Sequence, residues 1–537
     1  MSTSRDRGVR PALRATIQRL GLGLCLCMAA PGCTDDPQDP KMWIKKLEDP
    51  REKQEAIRNL VRLKDESAVE PLIKVFKRSK EPEVLASIGK LRSEKAVDLY
   101  IEQLDYTEDS FELASAAATA LTELANRDEK GRQAAARAVE ALNKAATKHT
   151  AIRSRANIAR IEAMRALATI GDAKAVPALV QILETSADEQ DFMLNRDAAR
   201  HLGTLADASS VPALVRGLFM TGRGTDIFAP CRYALVRIGG PAVDELVRAL
   251  QRQNKVLELD AIKFKFIPGI IPQKISIVLG NIGDKKAVPA LLKELDKKDE
   301  GLAPGGVSGH QSAILALGEL GDPAASKTLL TLLSNPRSNL KYRVAAAAAL
   351  NLMNATEALP ALLAAAKTPY LDTKEKVIDG EKAGLVAEAV TNYSRLLDRD
   401  GSAEIEALLK AAPPDTDLAV AMKNGLLRSA LVKECGKNVD CYGKALGDDK
   451  SARSEKAAFM LGRLGRDGLK YLQKGVAHKE TATRFAVLAS LTRVAQKGDK
   501  DVLKALADQI ELEATKTGLR DLVETMRITA LVIGRRG

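Results

Sequence analysis

The sequence predicts an all-α protein, an α-solenoid (superhelix) of about 13 stacked helix pairs. Two observations predict this fold class. A short motif recurs along the chain at the spacing of a helical hairpin, and the composition is 45% hydrophobic but only 3% aromatic. Small aliphatic residues let helices approach closely, so this composition suits stacked helices better than a sheet with a deep pocket.

The recurring motif combines a turn, an aspartate and a proline before an apolar run. Its clearest copies are the segments 171–180, 206–215, 283–292 and 358–363. Their prolines are separated by 35, 77 and 71 residues, which correspond to one, two and two repeats. Weaker copies at 241–247 and 321–330 fill the double gaps. A repeat of this length holds two helices and their turns.

Each residue type of the motif fits the corner between two helices. Gly171 can adopt the left-handed conformation that ends a helix, and Asp172 can cap the turn that follows. Pro177 then falls in the first turn of the second helix, where a missing amide donor costs little. The apolar residues recur with helical spacing, at Val176, Leu179, Val180 and Leu183. Because one pair alone leaves such a stripe uncovered, the pairs are expected to stack.

The same apolar spacing predicts further helix pairs in order along the chain. They are expected at about 51–62/68–78, 82–91/94–104, 109–126/130–147, 152–170/174–185, 191–205/208–219, 229–238/241–253, 274–282/286–297, 308–320/323–333, 339–353/356–366, 382–398/402–411, 416–433/438–446, 452–464/467–476 and 480–496/499–512, with a closing helix near 516–533.

The motif resembles bacterial HEAT repeats, particularly the short subtype first described in phycobilisome lyases. The resemblance covers most of residues 42–533 and is strong between Gly171 and Ala366, whereas 67–73 and 461–468 keep only parts of the pattern. It implies a solenoid fold. It implies no particular activity, because this family is defined by packing rather than by chemistry.

The first 32 residues have the features of a lipoprotein signal peptide. Five arginines and one aspartate precede an apolar run from Leu20 to Ala30, which is too short to span a bilayer. The run ends in Ala30-Pro31-Gly32-Cys33, which resembles a lipobox, although alanine stands where leucine is usual. Cys33 is therefore the expected site of lipidation, for example with palmitate. Soluble secretion and a misassigned start are the alternatives.

These features divide the chain into four parts. They are the signal peptide 1–32, a flexible tether 33–41, the HEAT-repeat solenoid 42–533 and a C-terminal tail 534–537. The expected location is the cell envelope, lipid-anchored and facing the periplasm, and Thr34 after the cysteine favours the outer over the inner membrane. Cleavage leaves 77 of 82 basic and 69 of 70 acidic residues, a net charge of +8 instead of +12. For an exported protein so mildly basic, no nucleic-acid partner is expected.

Cys435 and Cys441 bracket a short segment rich in turn-forming residues. In an oxidising compartment this spacing predicts a disulfide. Metal binding is the competing interpretation, but no second cluster of Cys or His lies nearby in the sequence. Cys231 is interpreted as a small core residue rather than a nucleophile.

Four insertions between repeats, at 221–226, 264–272, 301–309 and 368–373, define the predicted partner-binding rim. Connections between the repeats of a solenoid emerge along one edge, so these four are expected to line the same rim. Exposed apolar loop residues mark contact surfaces. The candidate anchors are Phe264, Phe266, Ile267, Ile270, Ile271 and Tyr370. The alternative is that these side chains fold back onto the solenoid.

Patterns for catalysis are not found in the sequence. The histidines, at 149, 201, 310 and 478, lack metal-ligand spacing to a Cys, Asp or Glu, and His310 is the first that we would mutate. The glycine-rich segment before His310 is not a phosphate loop, because no Gly-Lys-Ser/Thr follows. No catalytic residue, metal or cofactor is therefore expected.

The sequence favours a membrane-anchored periplasmic scaffold, not an enzyme, that binds protein or peptide partners through its solenoid. Two alternatives come from other classes of protein. One is a bilin-lyase-like enzyme, which the repeat resemblance permits. The other is a nucleic-acid-binding HEAT protein, which requires the signal peptide to be misread.

Overall fold

The computed structural model describes residues 36–303, 305–371, 377–516 and 518–535. Over these residues the chain is an α-solenoid of stacked helix pairs, which confirms the predicted fold class. Its one named sheet within the described ranges is a small hairpin, β1 (Thr221–Gly222) and β2 (Thr225–Asp226), with Thr221 opposite Asp226.

The helices of the first half are α1 (Pro40–Lys46), α2 (Lys53–Leu63), α3 (Val69–Ser79), α4 (Pro82–Lys90), α5 (Val97–Gln103), α6 (Phe111–Ala125), α7 (Glu129–Ala136), α8 (Val139–Thr147), α9 (Asn157–Ile170), α10 (Val176–Glu184), α11 (Phe192–Leu205), α12 (Val211–Gly217), α13 (Phe228–Ile238), α14 (Val243–Leu250), α15 (Lys255–Lys263) and α16 (Ile270–Ile282). Those of the second half are α17 (Val288–Leu295), α18 (Gly309–Leu320), α19 (Ser326–Ser334), α20 (Leu340–Leu352), α21 (Leu359–Ala365), α22 (Gly380–Leu396), α23 (Ser402–Ala411), α24 (Asp417–Cys435), α25 (Val439–Ala445), α26 (Ser451–Arg463), α27 (Leu469–Gly475), α28 (Thr481–Val494), α29 (Lys500–Glu513) and α30 (Arg520–Arg535). Short 3₁₀ turns lie at Glu66–Ala68, Glu94–Ala96, Ala173–Ala175, Ala208–Ser210, Gly240–Ala242, Lys285–Ala287, Pro323–Ala325, Thr356–Ala358 and Gly465–Gly468.

The corner motif forms as its residue types predict. Gly171 follows α9 with a φ of +78°, and its N–H donates to the carbonyl of Leu167. The side chain of Asp172 accepts a hydrogen bond from the Lys174 N–H at 2.9 Å. The same cap recurs at Asp207, Asp284 and Asp322. The motif prolines lie in the first turns of α10, α12, α17 and α21, so the predicted corner is confirmed.

The helices form two rows. In the first row each helix packs on the next in the order α2, α4, α6, α9, α11, α13, α16, α18, α20, α22, α24, α26, α28 and α30, and we call these the inner helices. Most of the others form an outer row. Small residues bring the inner helices close together: a Cβ added at Gly318 of α18 would lie 2.6 Å from the Cα of Ala349 of α20.

This close packing gives a matched pair of substitutions. Gly318→Ala is expected to destabilise the fold by about 1–3 kcal/mol, because the new methyl group forces α18 and α20 apart. Gly384 lies in α22 with no neighbouring atom within 4 Å of an added Cβ. Gly384→Ala should therefore stabilise the helix by up to about 1 kcal/mol. Urea unfolding of the two variants measures both effects, and a gain at Gly318 would contradict the close approach.

A buried polar side chain of several inner helices caps the outer helix that precedes it. Arg160 donates to the Ala146 carbonyl at 2.8 Å, and Asn195 donates to that of Leu183 at 2.9 Å. Further along the chain, Arg343 donates to the Leu333 carbonyl and Arg484 donates to the Val476 carbonyl, both at 2.9 Å. The last carbonyls of a helix lack hydrogen-bond partners within it. These side chains therefore donate to carbonyl oxygens that would otherwise be buried without a partner.

The last helix returns to the middle of the chain. Val532 of α30, with Ile528 and Leu531, packs into the same apolar core as α13 and α16. Glu524 of α30 pairs with Arg232 of α13. Arg493 of α28 likewise donates across the superhelix to the Leu352 carbonyl of α20. The inner helices from α13 to α30 thus complete one superhelical turn, and this row lies on the concave side.

Four elements differ from the helices expected from the sequence. Helix α1 forms within the predicted tether and start of the solenoid, because Asp39 caps it and Pro40 suits its first position. The predicted helix 130–147 is divided into α7 and α8. Helix α15 occupies 255–263, where no helix was expected, and α16 begins four residues early.

Cys33 and the predicted signal peptide lie outside the described residues. Where the structure describes the chain, none of its helices has the length and apolar character needed to cross a bilayer.

Candidate partner-binding surface

The insertion between α14 and α16 carries an exposed apolar surface. Its helix α15 is capped by Asn254, whose side chain accepts a hydrogen bond from the Leu257 N–H at 2.9 Å. Val256, Leu259 and Ile262 are 50%, 67% and 76% exposed. Their spacing of three places them on one side of the helix. A surface helix normally turns its apolar stripe toward the core, so α15 exposes the kind of face that other helices bury.

Two of the predicted anchors extend this surface beyond the end of α15. Phe264 is 61% exposed and Ile267 is 51% exposed. We call the five exposed side chains together, Val256, Leu259, Ile262, Phe264 and Ile267, the α15 patch.

Phe266, another predicted anchor, attaches the insertion to the solenoid. Its half-buried ring stacks on the buried ring of Phe219, with 5.3 Å between centroids, and lies 6.5 Å from the ring of Phe264. Phe266 therefore lies between the α15 patch and the solenoid. This agrees with the alternative expectation, in which such side chains fold back onto the solenoid.

The remaining predicted anchors do not belong to the patch. Ile271 is 2% exposed, contrary to the prediction of an exposed rim residue. The insertion ends earlier than expected because Gly269, with a φ of +78°, allows α16 to begin at Ile270, which is half-buried. Tyr370 is also half-buried, and its hydroxyl donates to the Ala411 carbonyl at 3.2 Å, so it attaches its own insertion to the next repeat.

A cleft of about 620 Å³ adjoins the α15 patch. Its walls include the apolar side chains of Ile262, Phe266 and Ile267. Charged groups line another part: Arg252 Nε lies 3.4 Å from Glu258 Oε1 and 3.9 Å from Glu300 Oε1. The cleft thus combines apolar walls with ion pairs, which is the make-up of small recognition sites.

The structure brings three of the four predicted insertions together. The ammonium group of Lys274, in α16, donates to the carbonyl of Leu218, which precedes the β1–β2 hairpin, at 2.8 Å. The same group lies over the ring of Phe228, which follows the hairpin. The third insertion joins the second where the Gly269 N–H donates to Glu300 Oε2 at 3.1 Å. The fourth, which holds Tyr370, contacts α23 instead.

Helix α15 is the part of this surface that was not predicted from the sequence. The apolar residues Val256, Leu259 and Ile262 recur every third position among charged residues, and this spacing is the signal that could have revealed a helix. Exposure could not be read from it, because the same spacing is typical of a buried stripe.

Cys435 and Cys441 form the predicted disulfide, with their Cα atoms 5.5 Å apart. It joins the end of α24 to α25. With Glu434 these sulfurs make up the one group of three potential metal ligands found in the described ranges, and the disulfide occupies both sulfurs. Cys231 is fully buried, and burial raises the pKa of its thiol, in agreement with a core role.

Comparisons with known proteins agree with this repeat architecture. Residues 159–185, within α9 and α10, match the family named PBS lyase HEAT-like repeat. The match covers one helix pair, and the two rows of helices with their recurring corner define the fold class: over the described residues the chain is an α-solenoid of HEAT-like helix pairs. No curated protein matches the chain.

Solved structures with similar folds share little sequence with this chain. The complex of CpcE and CpcF of phycocyanin lyase from Nostoc is 20% identical, with a TM-score of 0.22 over 62% of this chain and 94% of that one. Human deoxyhypusine hydroxylase is 16% identical, with a TM-score of 0.21 over 63% and 96%. Importin beta is 12% identical, with a TM-score of 0.35 over 92% and 68%.

Proposed function

We propose that this protein is a scaffold that binds a protein or peptide partner through the α15 patch and the adjoining cleft, without changing the partner chemically. The α15 patch is the observation that supports this function: five large apolar side chains on one insertion, each at least half exposed. Removing such surface from water contributes about 25 cal/mol per Å². Large apolar and aromatic side chains of this kind are typical of the centres of protein interfaces.

The surroundings of the patch favour a preformed binding surface. The stacked rings of Phe219 and Phe266, and the bond from the Gly269 N–H to Glu300, fix the end of the insertion. The Asn254 amide, which donates to Glu245 Oε1 at 2.7 Å, fixes its start. A surface that is already ordered loses less conformational entropy when a partner binds.

The proposed scaffold is exported and tethered to a membrane of the cell envelope through Cys33, facing the periplasm. Its support is the lipobox-like sequence before Cys33 and the Cys435–Cys441 disulfide, a bond that persists in oxidising compartments. Cells grown with labelled palmitate should yield labelled protein in the membrane fraction, and Cys33→Ala should abolish both. Wild-type protein without label would contradict the tether and leave the partner-binding proposal standing.

Crosslinking in cells tests the patch directly. A photoreactive phenylalanine analogue at Ile262 is expected to give a discrete adduct, because Ile262 is the most exposed of the patch residues. The matched control is Leu512 of α29, which is 62% exposed outside the patch. Once the adduct identifies the partner, Ile262→Asp without the analogue should reduce its recovery by affinity purification at least tenfold, whereas Leu512→Asp should not. Equal adducts at both positions would contradict the assignment.

The family match favours one alternative function, a lyase that acts on a pigment. The match covers α9 and α10, so it lies outside the α15 patch. Co-expression with a bilin and its acceptor protein separates the two functions. The scaffold predicts no pigment attachment, and a coloured acceptor formed only in the presence of this chain would contradict it.

A further inference from the structure

A second cavity, of about 320 Å³, lies between α17 and α20. Its apolar lining comes from Leu295, Ile314 and Leu332, and its polar lining includes Asp299, His310 and Tyr342. At about 30 Å³ for each water molecule, the cavity has room for about ten waters or a short aliphatic chain. Apolar walls beside a few convergent polar groups are typical of a small-ligand site.

His310 contributes to this cavity a polar atom that the described residues leave unpaired. The residue is 6% exposed, and its Nε2 has no hydrogen-bond partner among the described residues. Its ring is held against that of Tyr342, with 5.6 Å between centroids. Ser308 and Gln311 form a capping box that fixes the start of α18. A buried polar atom without a partner is unfavourable, so a ligand that supplies a partner would be favoured here.

Asp299 gives the cavity a negative charge. The Gly301 N–H donates to its Oδ1 at 3.1 Å, and the Tyr342 hydroxyl donates to Oδ2. Burial opposes ionisation, but these bonds hold the pKa of Asp299 below its ordinary value. Burial and the bond to Asp299 raise the pKa of Tyr342 to about 12, so the phenol keeps its proton. No lysine or arginine is among the described residues that line the cavity.

We infer that this cavity binds an ammonium group carried on an apolar stem, such as an alkylamine or the side chain of a lysine. The ammonium group donates to the carboxylate of Asp299 and to Nε2 of His310, and the stem packs on Leu295, Ile314 and Leu332. The cavity shares Asp299 with the cleft beside the α15 patch and is otherwise lined by different residues, so it adjoins the proposed partner-binding surface without including the patch.

Titration of the full chain with n-butylammonium, followed by NMR of the imidazole signals, tests the site. Binding should saturate at one site and shift the signal of His310, which is assigned by its loss in His310→Gln. The uncharged probe n-butanol should bind at least tenfold more weakly. Absence of saturation, or equal binding of the two probes, would overturn the inference.

Substitutions localise the charge that is recognised. Asp299→Asn should weaken n-butylammonium binding at least tenfold, whereas Asp296→Asn, at an exposed carboxylate shortly before it, should leave binding unchanged. Tyr342→Phe keeps the carboxylate and should still bind, which provides a folded variant if Asp299→Asn is unstable. Equal binding by Asp299→Asn and wild type would overturn the site.

A third probe identifies the source of the amine. Nα-acetyl-lysine N-methylamide carries the same ammonium group on a peptide backbone. Tighter binding of this probe than of n-butylammonium supports a lysine of a partner chain, and its exclusion supports a free amine.

Discussion

Replacement of Glu455 with alanine is expected to lower the free energy of unfolding by about 3–5 kcal/mol. The side chain of Glu455 is 4% exposed and accepts from Arg428, itself 5% exposed, at 2.6 Å. It also pairs with Arg395. Alanine would leave the Arg428 guanidinium buried without its counter-charge, and burial already lowers the pKa of that group. Denaturant unfolding, followed by circular dichroism, measures the loss.

The matched control for Glu455 is an exposed ion pair nearby. Glu434 is 57% exposed and lies 2.8 Å from Arg453. Glu434→Ala should cost less than about 1 kcal/mol, since solvent screens such pairs. Similar losses at both glutamates would contradict the burial of the Arg428–Glu455 pair.

Removal of α30 by truncation before Arg520 is expected to remove about 10 kcal/mol of stabilisation. Five apolar side chains of α30 are buried, and each contributes about 1.5–3 kcal/mol when taken out of water; they are Leu522, Val523, Met526, Val532 and Ile533. The loss should appear at two places distant in sequence. By hydrogen exchange, amides of α28 and α29 should lose protection, and so should those of α13, because α30 packs on all three.

The readout at α13 tests the closure of the superhelix. In an open solenoid each repeat is stabilised only by its neighbours, so α13 would be unaffected by a change at the C-terminus. Helices α6 and α9 serve as the internal control and should exchange as in the full chain. The milder variant Glu524→Gln removes the ion pair to Arg232 while leaving the apolar contacts. Unchanged protection of α13 in both variants would contradict closure.

The candidate surface was predicted only in part. The insertion itself was found from its apolar and turn-forming residues, and Phe264 and Ile267 are exposed as expected. The exposure of Ile271 was expected wrongly, since the start of α16 depends on how the backbone passes Gly269 against the neighbouring Gly301 carbonyl. That approach is a contact between two insertions, and no local pattern encodes it.

The sequence by itself determined the repeat. The αL conformation at Gly171, the cap at Asp172 and the helix start at Pro177 depend on interactions between residues a few positions apart, which local residue types specify. Only the tertiary structure decided which apolar stripes stay exposed, how α30 closes on α13, and that His310 and Asp299 share a cavity. These features join residues of different repeats. Their geometry depends on the sum of many small rotations between neighbouring helix pairs, which local residue types do not specify.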